Sequence, residues 1–170
     1  MTILAKLAEK TPSEIVLAFG SDIPVRLDDL ANRLGLNVIY DATLSDDVSG
    51  KIEREPNTKS GYLITINSKH HRRRQRFTLA HEIGHYILHR DLIGDGLTDD
   101  GLYRSTLRNG QKLEDFREQE ANRYAASLLM PAGAVRKAFR EGNCSFAGMA
   151  ELFDVSSDAA RIRMKELRLG

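Results

Sequence analysis

The chain has 170 residues, 41% of them hydrophobic and 29% charged, a balance that suits one compact domain or one domain with a small appendage. Lys plus Arg is 25 and Asp plus Glu is 24, which argues against a protein that grips nucleic acid mainly by bulk charge. A lone cysteine, Cys144, rules out an internal disulfide and a cysteine-built zinc site, so any bound metal must be held by His and carboxylates.

The first ten residues are interrupted by Lys6, Glu9 and Lys10 and do not read as a secretory leader. No apolar run approaches the roughly 20 residues of a membrane helix. With one cysteine, the expected compartment is the cytoplasm, with no membrane partner. Thr11-Pro12-Ser13-Glu14 is a capping box with Pro at the first helical position, and Gly20 can end the helix it opens. Leu27, Leu30, Ala31 and Leu34 repeat at helical spacing before Gly35. Strands are expected at Asn37–Tyr40, Lys51–Arg54 and, best of the three, Tyr62–Ile66, where β-branched and aromatic residues combine. The edge of that last strand either receives an extended peptide or is ordinary core.

From Phe77 onward the pattern is helical. Phe77, Ala80, Gly84, Ile87 and Leu88 share a helix that runs to His89. Leu92 to Gly110 reads as a long polar loop. Lys112 to Met130 is a long helix stopped by Pro131, and Ala132 to Arg140 a shorter one ended at Gly142. Two more helices are expected between Ser145 and Leu169, around a turn at Asp154-Val155-Ser156. The expected fold is α+β, a small N-terminal and central sheet packed on a mainly helical core. Residues 1–142 form the main domain and residues 143–170 a helical extension packed on it.

All five histidines, His70, His71, His81, His85 and His89, fall within twenty positions. His81-Glu82-Ile83-Gly84-His85 fits H-E-x-x-H. Residues four apart on a helix share a face, so two imidazoles at that spacing reach one ion. Glu82, about 100° round from His81, stands beside the metal, where it can take a proton from a water. Gly84 lets another backbone pack closely beside the ligands. His81, His85 and His89 span about 12 Å of helical rise, too far for all three to meet one ion at about 2 Å. A third, carboxylate ligand is therefore expected from the long helix, which offers Glu114, Asp115, Glu118 and Glu120. Glu120 lies on a stripe with Leu113, Phe116 and Tyr124, while Glu118 sits nearer Ala121 and Ala125; periodicity leaves both open.

The strings Ile66-Asn67, Arg76-Phe77-Thr78-Leu79-Ala80-His81-Glu82-Ile83-Gly84-His85 with Leu88-His89, and Glu120-Ala121-Asn122-Arg123-Tyr124-Ala125-Ala126 with Leu128-Leu129-Met130-Pro131 resemble the ImmA/IrrE family of gluzincin-like metallopeptidases. The match runs from about Gly50 to Pro131. The resemblance implies a zincin-like core and one zinc ion held by His81, His85 and the Glu of the E-A-N string, here Glu120. It implies that Glu82 deprotonates the attacking water, and that the protein substrate is a helix-turn-helix repressor of the mobile-element type. The polar stretch Asp91 to Lys112 departs from the family in its length. An oxyanion donor is expected from Tyr103, Tyr124, His71 or His89.

Two features lie outside this reading. Arg72, Arg73, Arg74 and Arg76 are either a patch for an acidic or phosphate-bearing partner or a solvated helix start. The tail, with Arg161, Arg163, Lys165 and Arg168 after the Asp154-Val155-Ser156 turn, resembles a helix-turn-helix and opens DNA contact as an alternative. A further alternative is a non-catalytic, antitoxin-like module that sequesters a repressor or toxin.

Overall fold

The structure is a computed structural model that describes residues 11–19, 22–93 and 108–169. Two short helices, α1 (Pro12–Phe19) and α2 (Leu27–Arg33), precede strands β1 (Asn37–Asp41), β2 (Gly50–Arg54) and β3 (Tyr62–Asn67). Helix α3 (Arg72–Leu88) follows, then a single 3₁₀ turn at Arg90–Leu92, and helices α4 (Arg108–Leu129), α5 (Ala132–Arg140), α6 (Phe146–Phe153) and α7 (Ser157–Glu166). The capping box is formed, with Thr11 N–H donating to Glu14 Oε2 at 2.7 Å and Glu14 N–H to Thr11 Oγ1 at 3.3 Å. The architecture is α+β, as expected. Most of the polar stretch expected as a loop, together with the first ten residues and Tyr103, lies outside the described residues.

The sheet order is β1-β3-β2, with β1 parallel and β2 antiparallel to β3. This settles the question of the best strand. β3 is central, its backbone hydrogen bonds are taken on both sides, and Ile64 and Ile66 are fully buried. It cannot receive a peptide; among the described residues the outer edges of the sheet belong to β1 and β2. Gly50 opens β2 where a side chain has no room. A Cβ there would stand 2.6 Å from Thr78 Cγ2 and 2.8 Å from Thr65 O. The strand start is therefore pressed against α3, and through it against the H-E-x-x-H segment.

Helix α3 begins five residues earlier than the apolar periodicity suggests. His71 caps it, its Nδ1 accepting the Arg73 N–H at 3.2 Å, so the arginine run forms the first turn. The apolar cluster is continuous from the sheet to the C-terminus. Leu30, Ile64, Ile83, Leu129, Val135, Met149, Phe153 and Met164 all belong to it. Helices α6 and α7 thus share the core of the preceding elements, and each large side chain they bury contributes about 1.5–3 kcal/mol. Polar ties reinforce the packing: Arg163 Nε donates to Met130 O at 3.1 Å, and Arg76 Nε to Asp154 O at 3.2 Å. Among the described residues no helix is long and apolar enough to cross a membrane.

Candidate metal centre

The site is built where α3 and α4 pack. Gly84 makes the close approach: a Cβ there would meet Ala121 O at 3.3 Å and the Tyr124 ring at 3.3 Å. Ala121 and Ala125 are fully buried against this face. With small residues on both helices the backbones come near, and side chains one turn away on the same face converge. On α4 that face continues to Glu118 and Asn122, three residues before and one after Ala121.

Three donors meet there. His81 Nε2 and His85 Nε2 are 2.9 Å apart. Glu118 Oε2 lies 3.2 Å from His81 Nε2, and Glu118 Oε1 3.1 Å from His85 Nε2. One ligand atom from each residue falls within 4.8 Å of the others, a grouping able to hold a metal ion. Ligands about 2 Å from a tetrahedral ion lie a little over 3 Å from one another, so the separations fit a single small cation.

The surrounding hydrogen bonds orient the rings the same way. Asn122 Oδ1 can only accept, so His81 donates to it from Nδ1 at 3.0 Å and keeps its Nε2 lone pair for the centre. On the other ring the logic runs outward. Glu120 Oε2 accepts from His89 Nε2 at 3.2 Å, which leaves His89 Nδ1 as acceptor. His85 Nδ1 lies 3.1 Å from it and donates, so His85 Nε2 also carries its lone pair inward. The donor set is thus two neutral imidazoles and one carboxylate, the chemistry a catalytic zinc takes with a position left open.

Glu120, the carboxylate expected as the third ligand, stands beside His89. Glu118, not Glu120, faces the two imidazoles. Glu120 is two residues further on, about 200° round the helix, and among the described residues its carboxylate reaches His89. The apolar stripe that pointed to Glu120 is packed only at its C-terminal end: Tyr124 lies against Gly84, while Phe116 is 53% exposed. Glu114 and Asp115 stand in the first half of α4, where side chains are not described. His89 is outside the ligand set, as its spacing requires, but it is buried and joins His85 to Glu120. The relay fixes one ligand's tautomer, so His89→Ala is expected to weaken metal binding by about 10- to 100-fold while leaving the three donors in place. Competition with a chromogenic chelator reads this directly.

Glu82 is 1% exposed. It lines a cavity of about 260 Å³ with His81, Asn122, Phe77, Ser49 and Gly50. The base expected from the motif therefore opens on the same space as a ligand and the start of β2. The other expected residues fall elsewhere. His71 caps α3, His70 Nε2 is 3.1 Å from Asp46 O, and Tyr124 lies on Gly84 with its phenol pushed up by burial. Among the described residues lining the cavity, none is His71, His89 or Tyr124, the three described candidates for the oxyanion donor.

Comparison with known proteins finds metalloproteases among the relatives of this chain. The radiation response metalloprotease IrrE of Deinococcus radiodurans is 36% identical over 109 residues, 61% of this chain and 31% of that protein. Its counterpart in Deinococcus deserti is 38% identical over 111 residues, 62% of this chain and 36% of that one. The chain spans about a third of the length of these curated relatives. A solved transcriptional regulator of Mycobacterium tuberculosis shares the fold, with a TM-score of 0.57 at 17% identity over 90% of this chain and 46% of that one. The model of the IrrE N-terminal-like domain matches residues 31–165, which include all three donors, Glu82, helix α6 and all but the last residue of α7. The chain belongs to the IrrE N-terminal-like domain family.

Proposed function

We propose that this protein is a zinc-dependent endopeptidase that hydrolyses a regulatory protein, a helix-turn-helix repressor being the substrate class the family resemblance favours. The observation that carries the reading is the convergence of His81 Nε2, His85 Nε2 and the Glu118 carboxylate beside a cavity that Glu82 lines. His81, His85 and Glu118 would hold the ion, and zinc supplies a Lewis acid that polarises the scissile carbonyl and acidifies a water. The remaining chemistry belongs to the chain. Glu82 takes the proton of the attacking water and returns it to the leaving amine. Asn122 and the His89–Glu120 pair keep the imidazoles oriented through the cycle. The edge of β2, which pairs with no further strand among the described residues and begins at Gly50 in the same cavity, suits an extended peptide that adds as a strand.

The alternative of DNA contact through the last helix is disfavoured by the partners of its arginines. Arg163 is bonded to Met130 O and to Glu166, and Arg161 to Asp158. Two of the four basic groups expected to meet phosphate are thus engaged within the chain. The function is tested on a purified helix-turn-helix repressor, taken from the adjacent gene where that gene encodes one. Incubation with the zinc-loaded enzyme is expected to yield two fragments by mass spectrometry, and prior chelation to yield none. An intact repressor under both conditions would exclude this substrate.

A further inference from the structure

A second cavity, about 410 Å³, opens between the N-terminal part of α3 and the start of α7. His71, Arg73 and Arg74 line one wall, Ser156 the other, and Phe77 and Val155 are among the apolar residues of its floor. We propose that it is a substrate subsite for an acidic segment of the cleaved peptide; the proposal rests on the peptidase reading above.

Charge is the first argument. Arg72, Arg73 and Arg76 share one carboxylate as ion-pair partner, and Asp28 acts on Arg76 from further away. Asp154 meets Arg72 Nη2 at 2.8 Å, Arg76 Nε at 3.2 Å and Arg73 Nε at 3.5 Å. Among the described residues Arg74 has a neutral partner, donating to Ser49 Oγ from Nη2 at 2.8 Å. The nearby acids of α7 are engaged, Asp158 with Arg161 and Glu166 with Arg163. The first turn of α3 holds no acid, and among the described residues none lines the cavity. Uncompensated cations at a helix N-terminus oppose its dipole. A cluster kept at that cost is matched by an anionic ligand, and the apolar floor takes the stem of the residue that carries the anion.

Continuity with the reaction centre is the second argument. Phe77 lines both this cavity and the one holding His81 and Glu82, and Ser49, the partner of Arg74, lines the latter. Arg73 precedes His81 by eight residues, about 12 Å along the helix. An extended peptide advances about 3.4 Å per residue. The acidic residue should therefore lie about three or four positions from the scissile bond.

The test uses short peptides of Ala, Leu and Ser in which one Glu, or Gln as its neutral match, is walked through every position. Cleavage by the zinc-loaded enzyme should favour Glu over Gln at one position, about five- to tenfold in kcat/KM and through KM. Arg73→Gln with Arg74→Gln should reduce that ratio to about one, and Arg73→Lys with Arg74→Lys should restore it. Fluorescence anisotropy of the same peptides with the Glu82→Gln protein reads the preference even where no bond is cut, so failure of the subsite and failure of the peptidase reading are separable. A Glu-to-Gln ratio unchanged by the arginine substitutions, in both assays, would overturn the proposal. So would arginine variants that lose salt-dependent binding to a DNA duplex yet show no peptide preference.

Discussion

Glu82→Gln is expected to leave the metal bound and peptide hydrolysis lost, with kcat down by about 10²–10⁴-fold and KM little changed. The substitution keeps the size and the hydrogen-bonding capacity of the side chain while removing its basicity. The ligands are untouched, because the donor group consists of His81, His85 and Glu118. Metal analysis should return about one zinc per chain in both proteins. The non-catalytic alternative, in which the chain sequesters a repressor, makes the opposite forecast: Glu82→Gln would then preserve the biological effect in full.

Glu118→Ala and Glu120→Ala separate the two readings of the third ligand. Glu118 is the carboxylate within 3.2 Å of both imidazole nitrogens, so its loss should abolish stoichiometric metal binding and activity together. Glu120 acts through His89. Its removal should cost only the 10- to 100-fold in affinity typical of an outer hydrogen-bond partner, and excess zinc should restore turnover. His81→Ala and His85→Ala should behave like Glu118→Ala. Isothermal titration with zinc distinguishes the two classes, since one loses the binding isotherm and the other shifts it.

The H-E-x-x-H segment and the α+β pattern are legible in the sequence because they depend on local spacing. Two imidazoles four residues apart share a helix face whatever lies around them. Glu118 is harder to find because its role depends on which side of α4 meets α3. The stripe through Leu113, Phe116 and Tyr124 suggests one face, yet the helices meet along Ala121 and Ala125. The signal that identifies this face is the set of small residues opposite Gly84: where a glycine admits a backbone, the partner helix presents alanines, and the acid sharing their stripe is Glu118. The E-A-N string brings Glu120 forward, whereas the acid two residues earlier is the one that faces the imidazoles.

The order of the strands is not local either. Tyr62–Asn67 has the composition of a good strand, but only its pairing with both Asn37–Asp41 and Gly50–Arg54 makes it central. The arginine run gains its meaning from long-range packing as well. It reads as a solvated helix start until Asp154, 78 residues further along the chain than Arg76, is seen to anchor three of its members.

The most direct measurement is the anomalous scattering of a zinc-loaded crystal at the zinc edge. A single peak is expected within about 2 Å of His81 Nε2, His85 Nε2 and a Glu118 oxygen, with Glu82 beside the open side and Glu120 turned to His89. A peak coordinated by Glu120 in place of Glu118, or no peak between the two imidazoles, would contradict the assignment of the metal centre.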